Sequence, residues 1–281
     1  MTEEFEFTSE EDKVWIDELL DGFVNEDCPL LKDLDEDEQD VLLALATELV
    51  FGEDETIFEI IADNDYFFYD RIHHPTVQRL LFIALNMGIA QNNGDCANYL
   101  GALYYTGHGV DEDVEKAAEY YEMGMEWGSS QAAVNLGYCY YYGRLGDEID
   151  YEKAYQYFTR GVMMDGNPDG LTKIANMYAG GRYLPKDECF AFDLYLRAYD
   201  VTKDTPGSAR PAHHLADYFM SGIEGYVDRD PHRALVLYQM AERYYYQSIA
   251  TGLGYYRKHL QAAIDGQQAA RELIHLSGEE F

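Results

Sequence analysis

The sequence predicts an all-α solenoid made of tandem helix–loop–helix units, and three observations predict it. A large apolar residue followed by a small one recurs at Leu100-Gly101, Leu136-Gly137, Ile174-Ala175 and Leu215-Ala216, at steps of 36, 38 and 41 residues. Four residues after the first member stands an aromatic (Tyr104, Tyr140, Tyr178, Phe219), and six after the second a glycine (Gly107, Gly143, Gly181, Gly222). An aspartate then closes each loop, at Asp113, Asp150, Asp187 and Asp230. A period of this length marks a repeat array, in which each unit buries its apolar face on the next.

Each element follows from that register. The apolar residue and the aromatic lie one turn apart on a single helical face, and glycine ends the helix. Aspartate suits the start of the second helix, because its carboxylate accepts otherwise unpaired backbone N–H groups. Pro231 takes a favoured first helical place in the fourth unit. Three residues after the aspartate comes Lys116, Lys153, Phe190 or Arg233, and then always alanine: Ala117, Ala154, Ala191 and Ala234. Tyr121, Phe158, Tyr195 and Tyr238 follow, then Gly124, Gly161, Ala198 and Ala241. Small residues at fixed places let two helices approach, and the aromatics fill the space beside them.

The ends read as degenerate units. Leu45-Ala46 with Gly52 repeats the spacing, residues 76–91 read as the partner helix, and residues 53–75 as an insertion with a short helix. A helix is expected around Val14–Phe23, and two closing helices in "SIATGLGYYRKHLQAAI" and "GQQAARELIHL". The expected organisation is an acidic N-terminal segment, 1–91, holding the degenerate unit in a capping role. Four units follow at about 92–128, 129–167, 168–208 and 209–247, and capping helices at 248–281. The N-terminal segment either caps the solenoid or lies in its groove.

Charge is the strongest compositional signal: 53 acidic against 20 basic side chains in 281 residues, a formal net of -33. Residues 1–91 hold 25 acids and 4 Lys/Arg, a net of -21. Such a surface disfavours direct contact with a nucleic acid backbone and favours a basic partner. No apolar run is long enough to span a membrane, and the acidic start "MTEEFEFTSEEDKVW" does not resemble a secretory signal, so a cytoplasmic protein is expected. Cys28, Cys96, Cys139 and Cys189 are too far apart for a zinc motif and read as reduced thiols.

A search for chemistry yields no convergent set. His108 lies between two glycines in a loop, and the aligned place in the next unit holds Arg144, so it reads as a solvent-exposed loop residue. The doublets His73-His74 and His213-His214 are poor chelates, since adjacent helical residues do not share a face. His213 and Asp217 stand at i and i+4 without a third ligand. The acidic run Asp33–Asp40 lacks the glycine and glutamate of a calcium loop, with Glu38 and Ala44 in their places, and reads as a solvated lead into a helix. "GLGYY" at Gly252 lacks the third glycine of a dinucleotide fingerprint. Most of the 26 tyrosines fall on core register, so base stacking is not expected. The chain is expected to be non-catalytic, with no cofactor and no metal.

The stretch "ANYLGALYYTGHGVDEDVEKAAEYY", Ala97 to Tyr121, resembles the Sel1-like repeat, a tetratricopeptide-like α/α family. The family pattern has its first alanine one place earlier, where Cys96 stands. The resemblance runs over roughly residues 94–247. The third unit departs at Phe190 and in "GGRYLP", and the fourth has a longer loop, "GIEGYVDRD". It implies a right-handed superhelical solenoid whose concave face binds a protein or peptide. Positions -2, +2 and +5 from the register leucine would line that face: Asn98, Tyr105, Tyr138, Tyr141, Asn176, His213 and Asp217. A cysteine-rich secreted branch is linked to β-lactam binding, but its cysteines pair within repeats and these do not. The expected function is a protein–protein interaction scaffold. The alternative is an immunity or antitoxin protein whose acidic surface imitates phosphate before a basic toxin or nuclease, a role in which related repeat proteins occur. A hydrolase acting on cell-wall-like ligands finds no motif here.

Overall fold

Helices joined by tight turns account for nearly all of the computed structural model, which describes residues 10–24, 28–52, 57–146, 148–250 and 254–277. Among the described residues there are fourteen α-helices, and extended pairing is limited to a bridge between Ile223 and Val227 within a loop. The all-α class is therefore as expected. The chain forms two compact units, residues 1–139 with 144–147, and residues 140–143 with 148–281.

The repeat helices lie where the register places them: α6 (Gly94–Thr106) and α7 (Val114–Glu126), α8 (Ser130–Tyr141) and α9 (Tyr151–Asp165), α10 (Pro168–Gly180) and α11 (Glu188–Thr202), α12 (Ala209–Ser221) and α13 (Pro231–Ala250). Gly107, Gly143, Gly181 and Gly222 all hold positive φ, between 62° and 72°, where a side chain would be strained. The four aspartates all cap: Asp113, Asp150, Asp187 and Asp230 each accept the backbone N–H three residues on, at 2.9 Å. Ala117, Ala154, Ala191 and Ala234 are fully buried, as are, within a few per cent, Tyr121, Phe158, Tyr195 and Tyr238. Gly101 has a closer reason than helix approach in general, since a methyl group there would lie 2.8 Å from the ring of Tyr121.

The basic residue before the register alanine has a role that spacing did not reveal. Lys116 Nζ sits 4.5 Å above the ring of Tyr104, Lys153 Nζ 4.8 Å above Tyr140, and the Arg233 guanidinium 4.4 Å above Phe219. The +4 aromatic of the first helix thus meets a cation from the second, an attraction of about 0.5–1 kcal/mol at an exposed site. In the third unit Phe190 replaces the cation and meets Tyr178 edge-to-face at 4.8 Å, so contact survives with its chemistry changed. Consequently Tyr104, expected in the core, is half-buried and stacks on Tyr120.

The N-terminal part holds α1 (Glu10–Gly22), α2 (Glu36–Phe51), α3 (Ile57–Asp63), α4 (Asp65–Arg71) and α5 (Pro75–Ala90). The acidic run leads into α2 through a capping box: Asp35 accepts from Glu38 N and Glu38 accepts from Asp35 N, both at 2.9 Å. The insertion holds two short helices where one was expected, with Ile57, Ile61 and Phe68 turned into the core of Leu19, Leu42, Leu45, Leu80 and Leu81. Residues 53–56 of that insertion lie outside the described residues, as do residues 1–9 of the N-terminal segment.

The C-terminal end differs from expectation. α13 continues to Ala250, and a single helix, α14 (Arg257–Ser277), replaces the two closing helices. Asp265 and Gly266, where the two expected helices would meet, lie in continuous helix. A methyl group on Gly266 would meet the ring of Tyr238 at 2.5 Å, so this glycine serves a close helix crossing and not a chain turn. Gly252 and the last four residues lie outside the described residues.

Candidate functional site

The seven predicted face residues fall in both units. In the first, Asn98 on α6 accepts from Asn135 Nδ2 on α8 at 2.9 Å, and Asn135 in turn accepts from Gln131 at 3.1 Å. Tyr105 lies under the Arg144 guanidinium, 4.7 Å from its ring centre, and Arg144 is paired with Glu112 at 2.8 Å. Asn98, Tyr105 and Tyr138 are each partly open to solvent. The -2 register is not uniformly open: Val134 and Thr172 occupy it and are buried.

In the second unit, Asn176 on α10 accepts the Tyr195 hydroxyl at 2.6 Å. Asp217 on α12 accepts the Tyr238 hydroxyl at 2.6 Å and lies 3.9 Å from His213 Nε2. Tyr245 Oη is 3.3 Å from His213 Nδ1. Burial raises the Asp217 pKa, against the Tyr238 hydrogen bond and His213, although half of its side chain reaches solvent. Burial likewise lowers the pKa of His213, opposed by Asp217. His214 stacks on Tyr195 at 4.6 Å, and burial, then His213 and the neighbouring cations, lower its pKa, although 39% of its side chain reaches solvent. Tyr141 differs from the rest. It is buried, and its hydroxyl accepts from Arg182, so it offers no open surface to a partner.

Periodicity did not find the cations among these residues. Lys173 on α10 is only 7% exposed, donates to Tyr142 Oη at 3.0 Å, and has Nζ 5.1 and 5.2 Å from the ring centres of Tyr141 and Tyr142. Arg210 on α12 pairs with Asp169. The signal that could have found them is the distribution of charge by unit. The first unit has 34 acids and 6 Lys/Arg, a net of -28, whereas the second has 19 and 14, a net of -5.

Other chemistry stays sparse. His108 is not a bare loop residue, because it stacks on Tyr69 at 4.0 Å and its Nε2 lies 2.7 Å from the Tyr69 carbonyl oxygen. All four cysteines are free thiols, and burial pushes Cys96 and Cys139 up to about 12, which makes them poor nucleophiles. Among the described residues no three His, Cys, Asp or Glu side chains converge as a metal site, and no helix is long and apolar enough to cross a membrane. A cavity of about 730 Å³ lies elsewhere in the second unit, lined by Phe219, Tyr226, Arg233 and Ile274 among others, and includes none of the predicted face residues.

Four capped helical hairpins in one register, with their register alanines and second-helix aromatics closed into core, define a tandem α/α-repeat protein. The model of the Sel1 repeat matches residues 94–124, 130–165, 168–200 and 212–243, and the chain belongs to this family. No curated protein sequence matches it. Among solved structures it is similar to a Sel1 repeat protein from Oxalobacter formigenes, at 18% identity over 74% of this chain and 84% of the other, with a TM-score of 0.52. A protective antigen of uropathogenic Escherichia coli with the same repeat fold is 18% identical over 83% of this chain and 56% of its own, TM-score 0.48. An immunity protein from Pseudomonas aeruginosa is 18% identical over 68% and 74%, TM-score 0.43. At 18% identity the likeness to the first of these speaks to the fold alone.

Proposed function

We propose that this chain is a non-catalytic interaction scaffold in which the first helices of each compact unit present a face to a partner protein. Sel1 repeats generally mediate protein–protein interaction, which supports the reading at the level of class. The observation that carries it is the contrast along each first helix. Asn98, Tyr105, Tyr138, Asn176, His213 and Asp217 keep contact with solvent, while Leu100, Leu136, Ile174 and Leu215 are closed in the core. Amide and aromatic side chains fixed on a rigid framework are suited to peptide recognition at low entropic cost. Tyr105→Ala and Tyr138→Ala together, with unchanged far-UV circular dichroism, are expected to weaken partner binding at least fivefold. Unchanged affinity sinks the assignment of this face.

A second reading, an immunity or antitoxin protein, is favoured by the net charge of -28 in the first unit. It requires a basic partner whose association rate falls steeply with salt. Partners that are neutral or acidic and bind equally at low and high salt exclude it.

A further inference from the structure

Within an acidic chain, one part of the second unit gathers cations. Lys173 is buried on α10, Arg182 follows that helix, Arg210 lies on α12, and Lys258 and His259 open α14. Arg210, Arg182 and Lys258 repel Lys173, and Asp169, one turn before it on α10 and paired with Arg210, attracts it. Burial, then Arg210, pull its pKa down to about 7. His214 and His259 feel Lys173 and Arg210 in the same sense. Around the cations stand aromatic faces: Tyr141 and Tyr142 under Lys173, Tyr141 beside Arg182, Tyr256 beside Arg210, and Tyr195 stacked on His214. Like charges held close together repel one another, a cost that an anion would relieve.

We propose that this face of the second unit binds the carboxylates of an acidic peptide segment in a protein partner, with Lys173, Arg182 and Arg210 as its cationic contacts and Tyr142 and His214 as its walls. The proposal rests on the interaction reading above and names the partner's chemistry. A nucleic acid strand fits less well. The cations converge on one lysine and form no track for successive phosphates. Arginine forks match carboxylates bidentately, and an incoming carboxylate would raise the Lys173 pKa and draw a proton from solvent.

The test is isothermal titration of the whole chain with a blocked decapeptide of alternating glutamate and glycine, against the same peptide with glutamine. Binding of the glutamate peptide alone is expected, weakening with salt and accompanied at pH 7.5 by uptake of up to about one proton, read from heats in two buffers. Lys173→Met is expected to weaken it at least tenfold and to reduce the proton uptake. Arg182→Gln, at an exposed position that does not threaten folding, is expected to weaken it at least threefold. Equal binding of the two peptides, no binding, or proton uptake unchanged in Lys173→Met overturns the proposal. So does full displacement by equimolar inorganic phosphate, or tighter binding of a single-stranded oligonucleotide at the same salt. The scaffold reading fails separately, through the Tyr105 and Tyr138 variants of the first unit.

Discussion

Gly124→Ala should destabilise the first unit, although alanine is the better helix former. The register asks only for a small residue here, since Gly161, Ala198 and Ala241 take the equivalent places. What singles out residue 124 is the crossing of α7 with α6. A methyl group on it would lie 2.7 Å from the Gly94 carbonyl oxygen, 3.0 Å from Ala132 Cβ and 3.3 Å from Asn98 N. Two of those three atoms are backbone, so no side-chain rotation relieves the contact and the helices must part. The substitution gains about 1 kcal/mol of helix propensity. Overpacking costs about 1–3 kcal/mol, toward the upper end where backbone must move. The net expectation is a loss of about 1–2 kcal/mol, measured as a lower urea midpoint by circular dichroism with the slope checked for constancy. Gly180→Ala is the control, because its added carbon meets nothing nearer than the flexible Arg182 side chain at 3.5 Å. It should be neutral or stabilising by up to about 1 kcal/mol. If Gly124→Ala proves as stable as the parent, or both variants lose equally, the close crossing is not what fixes this glycine.

Three further outcomes follow from the structure. Asp187→Ala removes the 2.9 Å acceptor for Phe190 N and should cost about 1 kcal/mol in unfolding free energy, whereas Asp187→Asn should cost little. Lys116→Met keeps the aliphatic stem but loses the charge above Tyr104, and should cost about 0.5–1 kcal/mol, while Phe190→Lys, which exchanges an aromatic contact for a cationic one, should stay near neutral. The depressed pKa values of His213 and His214 mean that the unfolded chain takes up protons near pH 6.5 while the folded chain does not. Their contribution to stability is therefore complete above about pH 6.5 and is lost as pH falls through their folded values. Thermal scans should show lower midpoints at pH 5 than at pH 7, with a smaller difference in a His213→Asn, His214→Asn double variant. Asp217, raised from 3.8, acts with the opposite sign in the window just above that value.

Most of the fold was legible because the repeat uses residues whose physics is local. A positive φ at Gly107 or a cap at Asp113 is settled within four residues of chain, and the sequence shows it directly. What escaped the reading depends on contacts across helices. Gly266 looks like a break in composition and is a crossing point, because its neighbour Tyr238 is 28 residues away in sequence. Lys116 and Arg233 look like solvated charges and are lids over aromatic rings from the preceding helix. On the predicted face, register named Asn176, His213 and Asp217 but passed over Lys173, which stands one place before the core Ile174 and would ordinarily be counted as surface.

The charge argument changes most when it is resolved by unit. Read as one number, -33 selects a basic partner for the whole chain. Resolved, the first unit carries nearly all of that excess, and the second has 14 Lys/Arg against 19 acids, several of the bases gathered near Lys173. Screening confines each patch to a range of about 8–10 Å at ordinary ionic strength, so a docked segment responds to its local patch and not to the total. A basic toxin held as the immunity reading requires should then depend on acids of the first unit and be indifferent to Lys173→Met. An acidic peptide should show the reverse dependence. A partner weakened by both sets of substitutions would need complementary charges of both signs, which neither reading alone supplies.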